Sequence, residues 1–503
     1  MKAELAVLHG TIYTMDPEQP VVEAVAMAGD RVVAVGDMET VRSTMGPRTQ
    51  VLDLQGRTVI PGLTDAHVHF ASYGLALRRV DLTGVRSPRE AAERVRARAR
   101  QTPEGEWIEG RGWDRNLWAP PEFPARELLD EAAPGHPVAL DSKDGHSLWL
   151  NTLALQRLGI SGATADPPGG RIRRDPGTGE PTGILLEDAA GLALGQIDHP
   201  GPQALREAIL EAGRHAHRLG VTSVHDCEGG SELAAFMDLW RERALPLRVY
   251  MMIPRDSLAA VISLGLQTGF GDAWLRMGHL KLFADGALGS HTADMFEPYE
   301  GERDNCGVTV LDGGTLRDLV EKAARAGIAP ATHAIGDRAN SRVLDVYAAS
   351  RLLWQSRGLR PRIEHAQLVR RADMPRFAQV GVIASMQPIH ATSDMDMADA
   401  YWGARSEDAY AWRSLLDAGA VLAFGSDCPV ETLDPLAGIY AAVTRQRPDG
   451  TPTGGWRPQE RLSVYEAVRA YTWGAAYASG EERSKGSLAV GKVADLVVLS
   501  QDI

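Results

Sequence analysis

A (β/α)8 TIM barrel carrying a small β-sandwich domain made from both chain ends is the α/β architecture this sequence predicts, on three observations. The middle of the chain alternates strand and helix patterns; both ends are β-rich and able to pair; and one gap between strands is far too long for a single crossover. The candidate barrel strands are Thr58–Leu63, Gly220–His225, Leu247–Ile253, His279–Phe283, Ile328–His333, Pro361–His365, Gly381–Met386 and Ala420–Gly425. Helical patterns such as Leu316–Ala326 and Ser341–Trp354 lie between them, with glycine at the helix end as a C-cap. A six-stranded open sheet is the alternative. At the N-terminus Leu5–Gly10, Ala24–Asp30 and Arg31–Gly36 are β-rich, with Gly29-Asp30 marking a hairpin, and Gly486–Leu499 is their counterpart at the far end. The expected domains are therefore a sandwich of residues 1–60 plus 480–503 and a barrel of residues 61–479. An insertion after the first barrel strand, at about 71–210, holds Trp107, Trp113, Trp118 and Trp149. Such insertions often build substrate pockets, and equally often their tryptophans are simply core.

Composition narrows the function classes. With 503 residues, 44% hydrophobic and 24% charged, the chain is long enough for one large barrel with accessory domains. A formal net charge of −13 argues against a nucleic-acid-binding face, which needs clustered Lys and Arg. Three cysteines, Cys227, Cys306 and Cys428, form no disulfide framework and fit a reducing cytoplasm. No apolar run approaches a membrane span and the first residues do not read as a signal peptide, so a soluble cytoplasmic protein is expected. A small-molecule substrate is the expected partner, with assembly into a homo-oligomer left open.

The chemistry begins at Val59-Ile-Pro-Gly-Leu-Thr-Asp-Ala-His-Val-His-Phe70, an apolar run that delivers His67 and His69. Residues two apart on a strand share a face, so both imidazoles can reach one metal ion. By itself such a pair is more often ordinary surface or core than a ligand pair. Three later strands end in further candidates: His333 in Ala331-Thr-His-Ala, His365 in Ile363-Glu-His-Ala, and Asp427 in Ala423-Phe-Gly-Ser-Asp. Catalytic groups of a barrel come from the C-terminal ends of several strands, so these residues converge on one mouth. Lys281 lies within the apolar strand His279–Phe283, where lysine is rarely buried unpaired. It either forms a salt bridge to a buried carboxylate such as Asp285 or belongs to the site, as a base or a modified ligand.

With these residues in place, the chain resembles the amidohydrolase superfamily from end to end. The ligand pattern, the split sandwich and the closing Gly486-Ser-Leu-Ala-Val-Gly-Lys-Val-Ala-Asp-Leu-Val-Val all match. Arg111-Gly-Trp-Asp, His146-Ser-Leu-Trp-Leu-Asn and Lys281-Leu-Phe-Ala-Asp-Gly-Ala-Leu-Gly-Ser look like the subgroup that contains N-substituted formamide deformylase. The resemblance implies one or two divalent ions, zinc above all, held by His67, His69, Lys281, His333, His365 and Asp427. In the two-ion form Lys281 is an N6-carboxylysine bridging the ions. His67, His69 and Asp427 then hold the more buried ion, and His333 and His365 the more exposed one. A single-ion version leaves Lys281 unmodified, and iron, manganese and nickel also suit such donors. Members of the superfamily usually continue beyond the last strand seen here, so the sandwich is expected to be short of strands or the chain shortened.

Metal-assisted hydrolysis of a C–N bond, in an amide or N-substituted formamide, is the expected reaction, with Asp427 moving the proton from the water nucleophile to the leaving amine. Trp113, Asp114, Asn116, Trp118, His146, His225 and His291 are candidate substrate contacts, and the tryptophans favour a substrate with an apolar or aromatic portion. Three other readings compete: an aminohydrolase that deaminates a ring, an ester hydrolase of the same superfamily, and a metal-containing regulator without turnover. Deaminases of this superfamily usually place a glutamate shortly after the fifth-strand histidine and lack the fourth-strand lysine. Here the segment reads His333-Ala-Ile-Gly-Asp337.

Overall fold

Eight parallel strands make the frame that carries the site: β1 (Leu63–Val68), β2 (Val221–Asp226), β3 (Arg248–Pro254), β4 (Leu275–Phe283), β5 (Pro330–Ala334), β6 (Arg362–His365), β7 (Ile383–Met386) and β8 (Val421–Phe424). They neighbour one another in chain order from β1 to β8. The computed structural model describes residues 2–142, 147–167, 170–194 and 201–503. The barrel all but closes where the chain after β8 meets β1: the amide of Asp427 donates to the carbonyl of His67 at 2.7 Å, and that of His69 to the carbonyl of Cys428 at 2.9 Å. Every residue of β1, β6 and β7 is buried, as expected of parallel strands covered on both faces. Alternation along β6 divides its side chains. Ile363 packs into the large apolar cluster with Leu280, Leu282, Leu344 and Phe424, while Arg362 and Glu364 share the opposite face and bond to each other.

The sequence places the first barrel strand at Thr58–Leu63, and the structure corrects this. Thr58–Pro61 belongs to a small sheet, pairing in parallel with Thr11–Ile12 and antiparallel with Leu496–Leu499. The barrel strand starts only at Leu63. Gly62 makes the break: a Cβ there would sit 2.3 Å from Thr222 Oγ1 and 2.9 Å from Asp495 Cβ. The apolar pattern runs through Gly62 unchanged, so periodicity alone joins two strands of different sheets. A second small sheet orders Arg31–Gly36, Ala24–Ala28, Leu5–Leu8 and Gln50–Asp53. Val7, Ile12, Val25, Val59 and Leu488 form an apolar core shared by the two small sheets.

The chain divides into two compact units, Met1–Tyr73 with Ile209–Ile503, and Gly74–Ala208. The second contains its own six-stranded sheet and its own core of Leu82, Val95, Leu129, Leu140 and Ile184. Among the described residues no helix is long and apolar enough to cross a membrane.

Gly425, between β8 and Asp427, is another close-packed glycine. Its Cβ would lie 2.5 Å from the backbone nitrogen of His67 and 2.7 Å from Asp65 Oδ1. Gly425→Ala is therefore expected to cost about 1–3 kcal/mol, the usual range for overpacking, and to loosen the His67–Asp427 junction. Urea unfolding measures it; an unchanged midpoint would contradict the close approach.

Candidate metal centre

The mouth of the barrel gathers residues from β1, β4, β5, β6 and β8 around one cavity of about 390 Å³, lined in part by His67, Lys281, His333, His365 and Asp427. The donor atoms of His67, His365 and Asp427 lie within 4.8 Å of one another, a spacing one ion can span. His69 Nε2 is 3.4 Å from Asp427 Oδ1, and His67 Nε2 is 3.6 Å from the same oxygen. Lys281 Nζ approaches His67 Nε2 to 3.2 Å. The ring of His333 stands edge-on to that of His365, with centroids 4.5 Å apart. Asp285, the alternative partner for Lys281, instead accepts backbone N–H bonds from Asp294 and Gly336 at 2.9 and 2.8 Å.

A bed of charge beneath the mouth sets the imidazole tautomers. Glu364 accepts from His67 Nδ1 at 2.5 Å and is itself held by the guanidinium of Arg362, both residues being fully buried. With its proton on Nδ1, His67 turns the lone pair of Nε2 toward Lys281 and Asp427, the arrangement that carboxylates impose on metal-binding histidines. His365 Nδ1 donates to Gln387 Oε1 at 2.8 Å, which frees its Nε2 in the same way. The donor set therefore fits a divalent metal ion. Arg362 spends further donors on Ser385 Oγ at 2.7 Å and on His225 Nδ1 at 2.9 Å. Asp65 ties the two ends of the barrel together, accepting the amides of His67 and Ser426 at 3.1 and 3.0 Å. Both His365 and Asp427 hold positive φ, 72° and 59°, a left-handed backbone that non-glycine residues adopt at a cost and mostly at functional sites.

Burial lowers the pKa of His67 to about 4 from an ordinary 6.5, with Lys281 pushing the same way and Glu364 opposing. Burial and Lys281 bring His333 to about 4 as well, and burial with the neighbouring imidazoles takes His365 well below its usual range. All three are neutral, as ligands must be, at neutral pH. Burial by itself would raise the Asp427 carboxyl; the hydrogen bond from His69 and the imidazoles of His67 and His365 outweigh it and hold the group ionised. In the unfolded chain the imidazoles of His67 and His333 protonate near pH 6.5, but in the metal-free fold only near pH 4. Between those values the unfolded state binds more protons. Stability is thus complete above about pH 6.5 and is lost toward pH 4, on the order of 1 kcal/mol per pH unit for each group. Urea unfolding of chelator-treated protein at stepped pH checks this, and a flat profile across the window would contradict it.

Trp113 and Trp118 are buried in the core of the second unit, stacked at 5.7 Å, with their indole N–H groups on the carbonyls of Leu140 and Val85. Asp114 lies between Trp113 and the short turn Arg115–Leu117 of that unit. His146 and the side chain of Asn116 lie outside the described residues. His225 is fully buried below the mouth, against Arg362 and Tyr250, so the rim position expected for it is corrected. His291 pairs with Glu302 at 2.5 Å and stacks on Tyr299, and does not line the cavity. The sequence reading missed His390, Gln367 and Asp394, which do line it. His390 follows β7 in Met386-Gln-Pro-Ile-His, and the strand-end rule that found His333 and His365 applies equally there.

A histidine-rich mouth with ligand-ready imidazoles and an ionised aspartate, at the C-terminal end of a (β/α)8 barrel, defines a metal-dependent hydrolase. The chain belongs to the amidohydrolase family, whose sequence pattern matches residues 50–503. It is 36% identical to Protein LONG AFTER FAR-RED 3 of Arabidopsis thaliana, over 99% of this chain and 87% of that protein. It is 30% identical to N-substituted formamide deformylase of Arthrobacter pascens, over 99% of this chain and 94% of that one. Among solved structures, an uncharacterized metal-dependent hydrolase from Pyrococcus furiosus superposes with a TM-score of 0.82 at 30% identity, covering 99% of both chains.

Proposed function

We propose that this protein hydrolyses the C–N bond of an amide or N-substituted formamide at a metal centre formed by His67, His69, Lys281, His333, His365 and Asp427. The observation that carries the reading is the division of labour at Asp427. Its Oδ1 faces the Nε2 atoms of His67 and His69, and its Oδ2 faces His390 Nε2, 3.8 Å away. This spacing supports one oxygen as a metal ligand and the other as the proton carrier. A divalent ion, when bound, supplies Lewis acidity that brings the pKa of water from 15.7 to about 7 and polarises the substrate carbonyl. Asp427 accepts the proton that water gives up as it attacks the carbonyl carbon, then returns it to the nitrogen as the C–N bond breaks, so that the amine leaves neutral. Glu364 keeps the proton of His67 on Nδ1 throughout. N-carboxylation of Lys281 would complete the donor set of a two-ion form, and zinc would suit these nitrogen and oxygen donors best. The relative named for N-substituted formamide deformylation supports this bond class.

The deaminase reading is less well supported. Asp337, the acid nearest the position a deaminase would use, is buried and accepts the amide of Phe296 at 2.9 Å instead of lining the cavity. Metal analysis combined with a release assay on a panel of amides, esters and amino-substituted rings separates the readings. The expected result is primary amine from N-substituted amides, abolished by chelation and restored by a divalent ion. Ammonia from ring substrates, alcohol from esters alone, or no product at full metal occupancy would overturn it.

A further inference from the structure

A second cavity, about 490 Å³, adjoins the metal cavity. Both are lined by Glu431, and the helix Pro388–Trp402 lines both as well. His390, Asp394 and Met397 face the metal cavity, while Ile389, Thr392 and Ser393 face the second. Its far wall is the helix Pro435–Thr444, which offers Ala437, Tyr440 and Ala441 at helical spacing, with Pro448 beyond. Two alanines there leave open space where larger side chains would fill it. Tyr440 is 38% exposed, and Val430, which lines the metal cavity beside the shared Glu431, 66%. The charge of Arg447 in the second cavity is engaged by Asp396 at 2.6 Å. Asp394 and Glu431 put two carboxyl groups on the rim of the metal cavity, whose one Lys or Arg among the described residues is Lys281. A departing amine, which becomes an ammonium ion in water, suits that rim; a carboxylate does not.

We propose that the second cavity is a subsite for the substituent on the substrate nitrogen, and that it selects amides whose amine portion carries an apolar or aromatic arm. The subsite rests on the C–N hydrolase reading for its chemistry, and its occupancy is tested apart from turnover. The amine arm passes the Val430–Glu431 rim and lies against Tyr440 and Pro448, with the acyl carbon left at the metal cavity. Volumes of a few hundred Å³ suit small-molecule groups of this size.

The test uses metal-loaded protein, N-methylformamide and N-phenylbutylformamide as substrates, and methylamine and phenylbutylamine as ligands in calorimetry. Wild type is expected to favour the long arm at least tenfold, both in kcat/KM and in amine affinity. Ala437→Phe, which fills the cavity, is expected to lose that preference, and Ala437→Ser to keep it. Tyr440→Ala, at an exposed ring, is expected to weaken phenylbutylamine binding severalfold, and so tests the wall even where the larger substitution disturbs folding. Hydrolysis of both formamides without preference, or phenylbutylamine binding no tighter than methylamine, overturns the subsite and leaves the hydrolase reading standing. Discrimination between the amines with neither formamide hydrolysed overturns the hydrolase reading and leaves the subsite.

Discussion

Asp427→Asn is expected to fold and to lose turnover by about two to four orders of magnitude, the range that general acid–base groups supply. Asparagine is nearly isosteric and keeps a carbonyl oxygen, so the contacts of Asp427 with His69 and the backbone bond to His67 have replacements. What it lacks is a site for the proton. The amide cannot accept from water and return the proton to nitrogen, and the field that holds the native carboxylate ionised acts on nothing. Metal content measured on the same sample separates the two duties of this residue. Retained metal with kcat near wild type would remove Asp427 from proton transfer.

Arg362→Met carries the largest expected effect on stability. Arg362 and Glu364 are both fully buried, on one face of β6, and the arginine also supports Ser385 and the carbonyl of Ala66. Burial by itself would raise the Glu364 carboxyl, but Arg362 first and His67 second hold it well below its usual range. Without the guanidinium the buried carboxylate keeps its bond from His67 but loses its charged partner, a situation that costs about 3–5 kcal/mol. Glu364→Gln is expected to be milder, since its amide oxygen still accepts from His67 Nδ1. Urea unfolding of metal-free protein measures both, and a loss under about 1 kcal/mol for Arg362→Met would show that the pair is not the support described here.

How much of this was legible depends on what the sequence encodes locally. Polar residues that interrupt apolar strands at their C-terminal ends are visible in one dimension, which is why His67, His333, His365 and Asp427 could be found as a set. The eight-strand count and the two β-rich ends were legible for the same reason. Side-chain direction was not. His225 and His365 both sit at strand ends, but His225 shares its face of β2 with Ser223 and turns inward to Arg362. His365 has positive φ and turns into the mouth. For Trp113 and Trp118 the sequence left pocket lining and core equally open, because nothing local shows that backbone carbonyls of their own unit satisfy their N–H groups. Gly62 hides a sheet boundary inside an unbroken apolar run, and only the close approach of Thr222 and Asp495 exposes it. Glu364, beside the sixth-strand histidine, was legible as a residue and illegible as a role, since its partner His67 lies 297 positions away in the chain.

Anomalous diffraction from crystals of the active, metal-loaded protein is the decisive measurement for the metal centre. An anomalous peak is expected within bonding distance of His67 Nε2, His365 Nε2 and Asp427 Oδ1, with density continuing past Lys281 Nζ when a second ion is present. A peak at any other place in protein that turns over, or turnover with no peak at the barrel mouth, would contradict it.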